Sequence, residues 1–412
     1  MKILLSPAII QGNSTYNKKN VAEKKDNFQN NNQLLFYYAP INFQGVSKTA
    51  MNTSRHALEY YEGCLLGGAI GDAFGAKLEW LSLDKIKSYY GEAGLRYIPK
   101  VNGQYNISDD TQMTLFTAEG LLKALLNNSH NLLIEPNYKD IFLSYNNWYK
   151  TQTIPYENVE SKMGLMADRT LYSQRFPGKT CMSALRTGKM GTIENPINNS
   201  AGNGGLMRIA PVGLMYCNNP ELAFKVGAKC AAMTHGHPDG YLPAGFQAAL
   251  IAFLIGGNTL ETSIEKSMVI LSSYKNSDNL MKIIKKAIIL VHSGHSSEEA
   301  IKKLGMGGKA DEALAIALYA ALKEPKNLMK ALSIAVNHDG DSDSTGAIAG
   351  NILGTVLGIN SIKNSYIDNI ELKNWLKKYS RALLSVSANS QRHITYTQDE
   401  LQQRRMNDKF VI

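Results

Sequence analysis

From His56 onward the chain repeats one pattern, in which apolar residues recur every three or four positions. In the segment DDTQMTLFTAEGLLKALL, for example, the apolar residues fall on one face of a helix. Alternating patterns typical of half-buried strands are almost absent, and several apolar segments stop at glycine, as helices often do. The sequence therefore predicts an all-α, multi-helix domain over residues 56–390.

Residues 1–55 have a different composition and show no persistent helical or strand period. They are rich in Asn and Gln and carry seven basic residues against two acidic ones, Glu23 and Asp26. We predict a mostly irregular N-terminal extension outside the core. Its stretch LLFYYAPINF, residues 34–43, is too apolar for a simple spacer, so we expect it to dock on this protein or on a partner. The polar residues 391–412 are predicted to form a terminal helix or a disordered tail.

Charge and cysteine content limit the possible partners and compartments. The formal charge of +9 is dilute over 412 residues, and no block of Lys and Arg resembles a nucleic-acid-binding arm, so we expect no nucleic-acid partner. No apolar stretch is long enough to cross a membrane. The four cysteines form no close pair, which favours reduced thiols in a cytoplasmic protein.

The segment NISDDTQM contains two adjacent aspartates between hydroxyl residues. Ser108 is a favourable N-cap, so Asp109 and Asp110 are predicted to lie in the first turn of a helix, whose positive end stabilises carboxylates. One aspartate there would need no further role. Two of them beside hydroxyls offer the hard oxygen ligands that Mg²⁺, Mn²⁺ and Ca²⁺ prefer.

The segment NHDGDSDSTGAIAGN carries Asp339, Asp341 and Asp343 on alternate positions. It begins like a calcium-binding EF-hand loop but fails that pattern, because Ser344 stands where glycine is required and Gly350 where a bidentate glutamate is required. Instead, acidic and hydroxyl residues lead directly into a predicted helix, as in the SDDT segment. Two such helix starts can converge on one cation cluster; the alternative is two separately capped helices.

Three further segments contain candidate functional residues. GCLLGGAIGDAFGAKLEW has glycines near helical spacing and two acids, Asp72 and Glu79, of which one is a candidate core residue and one a candidate catalytic group. NSAGNGGLMRIAPVG places turn-prone residues before a helix, where backbone N–H groups can hold phosphate or sugar oxygens, unless the turn merely connects helices. MTHGHPDG offers His235 and His237 near Asp239, either as ligand contacts or as an ordinary surface loop.

Taken in order, five of these segments resemble the ADP-ribosylglycohydrolase family. The segments are GCLLGGAIGDAFGAKLEW, SDDTQM, GNGGLMRIAPVG, MTHGHP and GDSDSTGAIAGNILG, which span residues 62–355. The family includes the enzyme that reactivates dinitrogenase reductase and the mammalian ADP-ribosyl-arginine and ADP-ribosyl-serine hydrolases. The resemblance implies an all-α orthogonal bundle with a central two-metal site that holds two Mg²⁺ or Mn²⁺ ions.

The resemblance also implies roles for particular residues. The implied metal ligands are Ser108, Asp109, Asp110, Asp341, Asp343 and Ser344. Ser344 occupies a position that is usually Thr in the family, and Thr345 is an alternative donor. The implied substrate-binding residues are Ser200, Asn203, Gly204 and Gly205, in a loop around the ADP-ribose, and His235 near the diphosphate or distal ribose.

The implied reaction is hydrolysis of the bond between ADP-ribose and a protein side chain, with arginine favoured. Metal ions would hold the ribose hydroxyls and position a water, and Asp110 or Glu79 would act as general base. Asp168 is a weaker alternative base, suggested by an acidic loop in some family members. The leaving guanidine must be protonated, because it is otherwise a poor leaving group.

The N-terminal extension suggests a more specific role. Some bacterial immunity proteins that resemble this family carry such an arm and insert it into the active site of an ADP-ribosyltransferase toxin. Residues 1–55, with FYY as anchors, suit that role by analogy. The alternative is an ADP-ribose-binding or toxin-binding regulatory protein with little hydrolase activity. The presence of an oxygen ligand at every implied metal position argues against that alternative.

Overall fold

The computed structural model describes residues 54–127 and 131–393, which form α-helices and short 3₁₀ turns. The helices are α1 (Leu58–Gly75), α2 (Leu83–Tyr90), α3 (Asp109–Asn127), α4 (Tyr138–Thr153), α5 (Lys179–Arg186), α6 (Ala210–Met215), α7 (Pro220–Ala232), α8 (Pro238–Ile255), α9 (Leu260–Ser272), α10 (Asp278–Val291), α11 (Ser297–Leu304), α12 (Ala310–Lys323), α13 (Leu328–Val336), α14 (Ser342–Leu357), α15 (Asn364–Asn369) and α16 (Lys373–His393). The described residues contain isolated β-bridges but no β-strand. The predicted all-α class is confirmed. The predictions for residues 1–53 and 394–412 lie outside the described residues.

Helices α1 and α14 form the centre of the fold and run antiparallel along a seam of glycines. Gly67 on α1 faces Gly350 on α14, and a Cβ added at Gly67 would lie 2.6 Å from the Gly350 carbonyl oxygen. No side chain can occupy that space, so the two backbones approach more closely than ordinary helices do. The seam runs from Gly63 beside Gly354 to Gly75 beside Ser342. It therefore brings the C-terminal end of α1 against the N-terminal end of α14.

The other helices surround this pair and bury its remaining faces. Helix α8 is buried along almost its whole length and packs against α6, α7, α9 and α12. Helix α3 packs against α4 and also contacts α1, α14 and α16. Through these contacts the start of α3 lies beside the α1–α14 seam. None of the helices in the described part of the chain is long and apolar enough to cross a membrane.

Helix α1 ends at Gly75, before the end of the predicted helical segment. The next residues form turns, with Leu78 N–H donating to Gly75 O and Trp80 N–H donating to Gly340 O. Trp80 adopts a φ of 59°, a left-handed conformation that no helix continues through. Because the chain turns here, Glu79 and Trp80 face the N-terminal end of α14 instead of continuing along α1.

Candidate metal centre and substrate cavity

Asp72, near the end of α1, organises the segment that precedes α3. Its carboxylate is fully buried and accepts hydrogen bonds from Ser108 N at 2.8 Å, Thr111 N at 3.1 Å and Thr111 Oγ1 at 2.5 Å. Burial, together with the charge of Asp343, raises the pKa of Asp72 to about 7. Asp72 thus positions the start of α3, and the sequence analysis had assigned it no definite role.

The two acidic helix starts lie on one cavity of about 360 Å³. Asp109 and Asp110 enter it from the first turn of α3, while Asp341 precedes α14 and Asp343 lies in its first turn. Glu79 joins them from the turn after α1. The two helix starts are therefore not independent capped ends: they share a single cavity, as one of the two sequence interpretations required.

Four of the cavity carboxylates, those of Asp109, Asp110, Asp341 and Asp343, are buried, and that of Glu79 is half-buried. None of them forms an ion pair with Lys, Arg or His among the described residues. Burial raises the pKa of Asp109, Asp110 and Asp341 well above the usual range, and the charge of Asp343 adds to this effect. Burial and Asp343 also raise the pKa of Glu79 to about 7. Mutual repulsion of this kind is relieved by protons or by a bound cation.

The donor atoms fit a divalent cation. One carboxylate oxygen from each of Glu79, Asp341 and Asp343 lies within 4.8 Å of the others. In addition, Asp110 Oδ2 is buried and finds no hydrogen-bond partner within residues 54–127 and 131–393. Carboxylate and hydroxyl oxygens are the hard ligands that Mg²⁺ and Mn²⁺ prefer. The residues present therefore match the chemistry of the implied ions.

Of the twelve leading candidates for metal, substrate or general-base roles, nine line this cavity and three do not. Those that line it are Glu79, Asp109, Asp110, Asn203, Gly204, His235, Asp341, Asp343 and Ser344. Ser108, Ser200 and Gly205 are absent from its wall. Ser108 Oγ instead accepts from Asp110 N at 3.2 Å, as a helix cap does, and Ser200 Oγ accepts from Gly202 N at 3.2 Å. Their implied roles as ligand contacts stay predictions.

Three alternative candidates have other contacts. Thr345 Oγ1 lies 2.7 Å from Ala335 O and 2.9 Å from His338 Nε2, and of the two candidates Ser344 and Thr345 it is Ser344 that lines the cavity. Asp168 caps a 3₁₀ turn and accepts from Trp375 Nε1, and it does not line the cavity. Asp339, the first of the three aspartates at alternate positions, accepts from Leu83 N at 2.7 Å and thereby caps α2.

Asn203 and Gly204 form another part of the cavity wall, and the Asn203 side chain hydrogen-bonds to the Asp341 carboxylate. Asn203 Nδ2 donates to Gly307 O at 2.7 Å, and Asn203 N donates to Gly308 O at 3.2 Å. This loop is thereby tied to the loop before α12. A side chain at Gly204 would place its Cβ 3.0 Å from His235 Cε1, so a larger residue would crowd the imidazole. The glycine keeps this wall open for a ligand.

His235 is positioned by a buried arginine that the sequence analysis did not single out. Arg208 is fully buried, stacks over the Tyr145 ring at 4.1 Å, and donates to Thr234 Oγ1 at 2.8 Å. The Thr234 hydroxyl lies 2.9 Å from His235 Nδ1 and 3.5 Å from Ala231 O, to which it can donate. Burial and the nearby Arg208 charge lower the pKa of His235 to about 3. The ring is therefore neutral, with one ring nitrogen as donor and the other as acceptor.

The sequence analysis also missed the aromatic residues at the cavity mouth. Trp80 and Phe176 line the cavity and are 60% and 72% exposed. Gly178 N–H, from the same segment as Phe176, donates to Asp109 Oδ2 at 3.1 Å. Of these two aromatic residues, Trp80 lies next to Glu79 in the quoted segment GCLLGGAIGDAFGAKLEW, whereas Phe176 lies in none of the quoted segments. The Phe176–Gly178 segment carries no acidic or histidine signal, so nothing in the sequence pattern marked it.

Comparisons with known proteins agree with this architecture. The family model described as ADP-ribosylglycohydrolase matches residues 53–393. ADP-ribosylarginine hydrolase Tri1 of Serratia proteamaculans is 25% identical over 319 residues, which cover 76% of this chain and 76% of that protein. ADP-ribosyl-[dinitrogen reductase] glycohydrolase of Rhodospirillum rubrum is 24% identical over 319 residues, covering 76% of this chain and 90% of that one.

A solved structure shares the fold. A chain of the ADP-ribosylglycohydrolase-related protein complex superposes with a TM-score of 0.57 at 23% identity, covering 81% of this chain and 99% of that one. The family match spans α1 to α16, including both acidic helix starts. The chain therefore belongs to the ADP-ribosylglycohydrolase family, whose members hydrolyse ADP-ribosyl bonds.

Proposed function

We propose that this protein is a divalent-cation-dependent hydrolase that removes ADP-ribose from modified arginine side chains of proteins. The observation that carries the proposal is the buried group of carboxylates at the meeting point of two helix starts, without cationic partners among the described residues. Such a group is costly to fold unless a cation neutralises it. The arginine linkage is supported by the similarity to a protein named ADP-ribosylarginine hydrolase.

The residues that would hold two Mg²⁺ or Mn²⁺ ions are those of the two helix starts. They are Asp109 and Asp110 on α3, and Asp341, Asp343 and Ser344 on α14, with Ser108 retained as a predicted ligand. When bound, the cations would supply Lewis-acid polarisation of a water and of the ribose hydroxyls. The part of the wall formed by His235 and the Asn203–Gly204 loop would hold the rest of the nucleotide, with the neutral His235 ring hydrogen-bonding through Nε2 and the loop accommodating oxygens.

Glu79 and Asp110 are the candidate general bases, and the geometry favours Glu79. Its carboxylate is oriented by Trp80 Nε1, which donates to Oε1 at 2.8 Å. Glu79 would take a proton from water as the water oxygen bonds to the anomeric carbon. The carbon–nitrogen bond breaks, and the carboxylate returns the proton to the leaving guanidine nitrogen. The base is then ready for another cycle, and the products are ADP-ribose and an unmodified arginine.

A linkage assay tests this function directly. The full chain is incubated with ADP-ribosyl-arginine and ADP-ribosyl-serine peptides, with Mg²⁺ or with EDTA, and release of ADP-ribose is measured. We expect rapid release from the arginine peptide with Mg²⁺ and a loss of at least about a hundredfold in EDTA. Equal release in EDTA would refute the metal mechanism, whereas release from the serine peptide alone would refute the arginine assignment.

We further propose that residues 1–55 bind an ADP-ribosyltransferase toxin, so that the protein acts as a cytoplasmic immunity factor. The basic, aromatic composition of this segment supports the proposal, since aromatic side chains commonly anchor protein interfaces. A pull-down with the cognate toxin compares the intact chain with a chain that lacks residues 1–55. We expect retention of toxin by the intact chain only, and equal retention by both would refute the proposed arm.

A further inference from the structure

A second cavity, of about 600 Å³, adjoins the metal-binding cavity. The two cavities share Glu79, Trp80 and Phe176 in their walls. The second cavity is also lined by Tyr89 and Tyr90 at the end of α2. An aromatic groove is therefore continuous with the cavity at the carboxylate that is best placed to act as general base.

The two shared aromatic residues are held in strained backbone conformations. Phe176 has a φ of 57°, in a segment tied to Asp109 at both ends: Arg175 O accepts from Asp109 N at 2.9 Å, and Gly178 N donates to Asp109 Oδ2. Trp80 has a φ of 59° and is fixed by hydrogen bonds to Gly340 O and Glu79 Oε1. A residue other than glycine adopts this left-handed backbone conformation only where surrounding contacts hold it there. Such strained residues are concentrated at functional sites.

We propose that this second cavity binds the polypeptide around the modified arginine of the substrate protein. The inference rests on the proposed function, because it takes the ribose to lie at the carboxylates. The modified side chain must then leave the cavity near Glu79, between Trp80 and Phe176. Aromatic faces beside a carboxylate suit the guanidinium that is released there, through cation–π attraction and charge pairing.

The groove differs from the nucleotide wall in its chemistry. It lacks the glycine-rich loop and the buried histidine of the other cavity and instead exposes aromatic side chains, with Tyr89 68% exposed. Exposed tyrosines at a concave surface are typical anchors of polypeptide contacts, because they supply large contact area at small entropic cost. The groove therefore serves the protein part of the substrate and not the ADP-ribose.

The test measures a substrate preference. Wild type, Tyr89→Ala and the matched control Tyr97→Ala are assayed as full chains on an ADP-ribosylated protein and on free ADP-ribosyl-arginine. Tyr97 is also an exposed tyrosine, at 63%, but it lines neither cavity. We expect Tyr89→Ala to lower the ratio of kcat/KM for protein over kcat/KM for ADP-ribosyl-arginine by about tenfold, mainly through KM. We expect Tyr97→Ala to keep the wild-type ratio.

The outcomes separate this inference from the proposed function. If wild type hydrolyses both substrates and Tyr89→Ala keeps its ratio, the groove does not bind polypeptide and the inference is overturned alone. An equal loss on both substrates also keeps the ratio and assigns the groove to the nucleotide. If wild type hydrolyses neither substrate, the proposed function and this inference fail together. Thermal melting of each variant confirms that the surface substitution leaves the fold intact.

Discussion

At the scale of single residues, the cavity brings together acidic groups whose mutual repulsion is relieved by protons or by a bound cation. Among the described residues, one buried carboxylate oxygen of Asp110 has no hydrogen-bond partner, and the charge of Asp343 raises the pKa of several of its acidic neighbours. Residues arranged for binding commonly lower the stability of the unliganded protein. Asp343 should therefore oppose folding when no cation is present and be required for function when one is bound.

Replacing Asp343 by Asn should therefore have opposite effects on the free energy of unfolding without and with a divalent cation. In EDTA, Asp343→Asn should increase the free energy of unfolding by about 1–2 kcal/mol, because it removes a buried like charge. In Mg²⁺ the same variant should lose most of the stabilisation that the cation gives wild type. Urea unfolding in each condition measures both effects.

Asp339→Asn is the control: its amide oxygen can still cap Leu83 N–H, and it should change neither free energy of unfolding by more than about 0.5 kcal/mol. A destabilised Asp343→Asn protein in EDTA would contradict the account.

His235 gives a pH prediction with a definite sign. Its pKa in the folded chain is lowered from 6.5 to about 3, so below pH 6.5 the unfolded chain binds a proton that the folded chain does not. Stability is therefore lost as the pH falls below about 6.5. Between pH 7 and pH 5, wild type should lose about 2 kcal/mol more than His235→Gln. Urea unfolding at both pH values measures this difference, and parallel losses in the two proteins would show that His235 is not buried as a neutral ring.

Some of these residues could be found in the sequence and others could not. Asp109, Asp110, Asp341 and Asp343 were identifiable, because paired acids beside hydroxyls at helix starts form a local pattern. Phe176 was not, since its left-handed backbone is imposed by hydrogen bonds to Asp109, some seventy residues earlier in the chain. Long-range contacts of this kind leave no periodic trace in the sequence.

At the scale of elements, the glycine contact between α1 and α14 explains how a local sequence pattern positions residues of the site. Glycines at four-residue spacing on both helices allow the close approach that brings Asp72 and Asp343 together. The helical spacing of the glycines was visible in the sequence of α1, and in the structure these glycines lie along the contact with α14. The end of α1 was not predictable from periodicity, because the apolar pattern continues past Gly75 while hydrogen bonds to the Gly340 loop turn the chain.

The seam predicts a large penalty for adding one methyl group. In Gly67→Ala the new Cβ would meet backbone atoms, which cannot rotate away, so the helices must separate. We expect a loss of about 3 kcal/mol or more in the free energy of unfolding, measured in urea, with reduced cation binding because α14 shifts. Gly188→Ala is the control, since its Cβ would meet no atom within 4 Å and only its φ of 68° is unfavourable. It should lose about 1 kcal/mol, and equal losses in the two variants would refute the seam.

At the scale of the whole molecule, the site depends on segments that are distant in the chain. The acids of α3 and α14 are separated by more than two hundred residues, and they meet because both helices pack against α1. The helical class followed from periodicity alone, whereas this convergence was one of the two interpretations that the repeated acid–hydroxyl pattern allowed, and the family resemblance also implied it. The solved relative with a TM-score of 0.57 shows that the fold is shared across most of this chain.

The most direct test of the account is the stoichiometry of cation binding, measured together with activity. Metal-stripped full chain is titrated with Mn²⁺ by equilibrium dialysis, and hydrolysis of ADP-ribosyl-arginine is followed on the same samples. We predict that wild type binds two ions per chain, that activity rises with occupancy, and that Asp343→Asn loses both binding and activity. Full activity in metal-stripped wild type, or undiminished Mn²⁺ binding by Asp343→Asn, would contradict the central claim that the paired helix starts form a catalytic cation site.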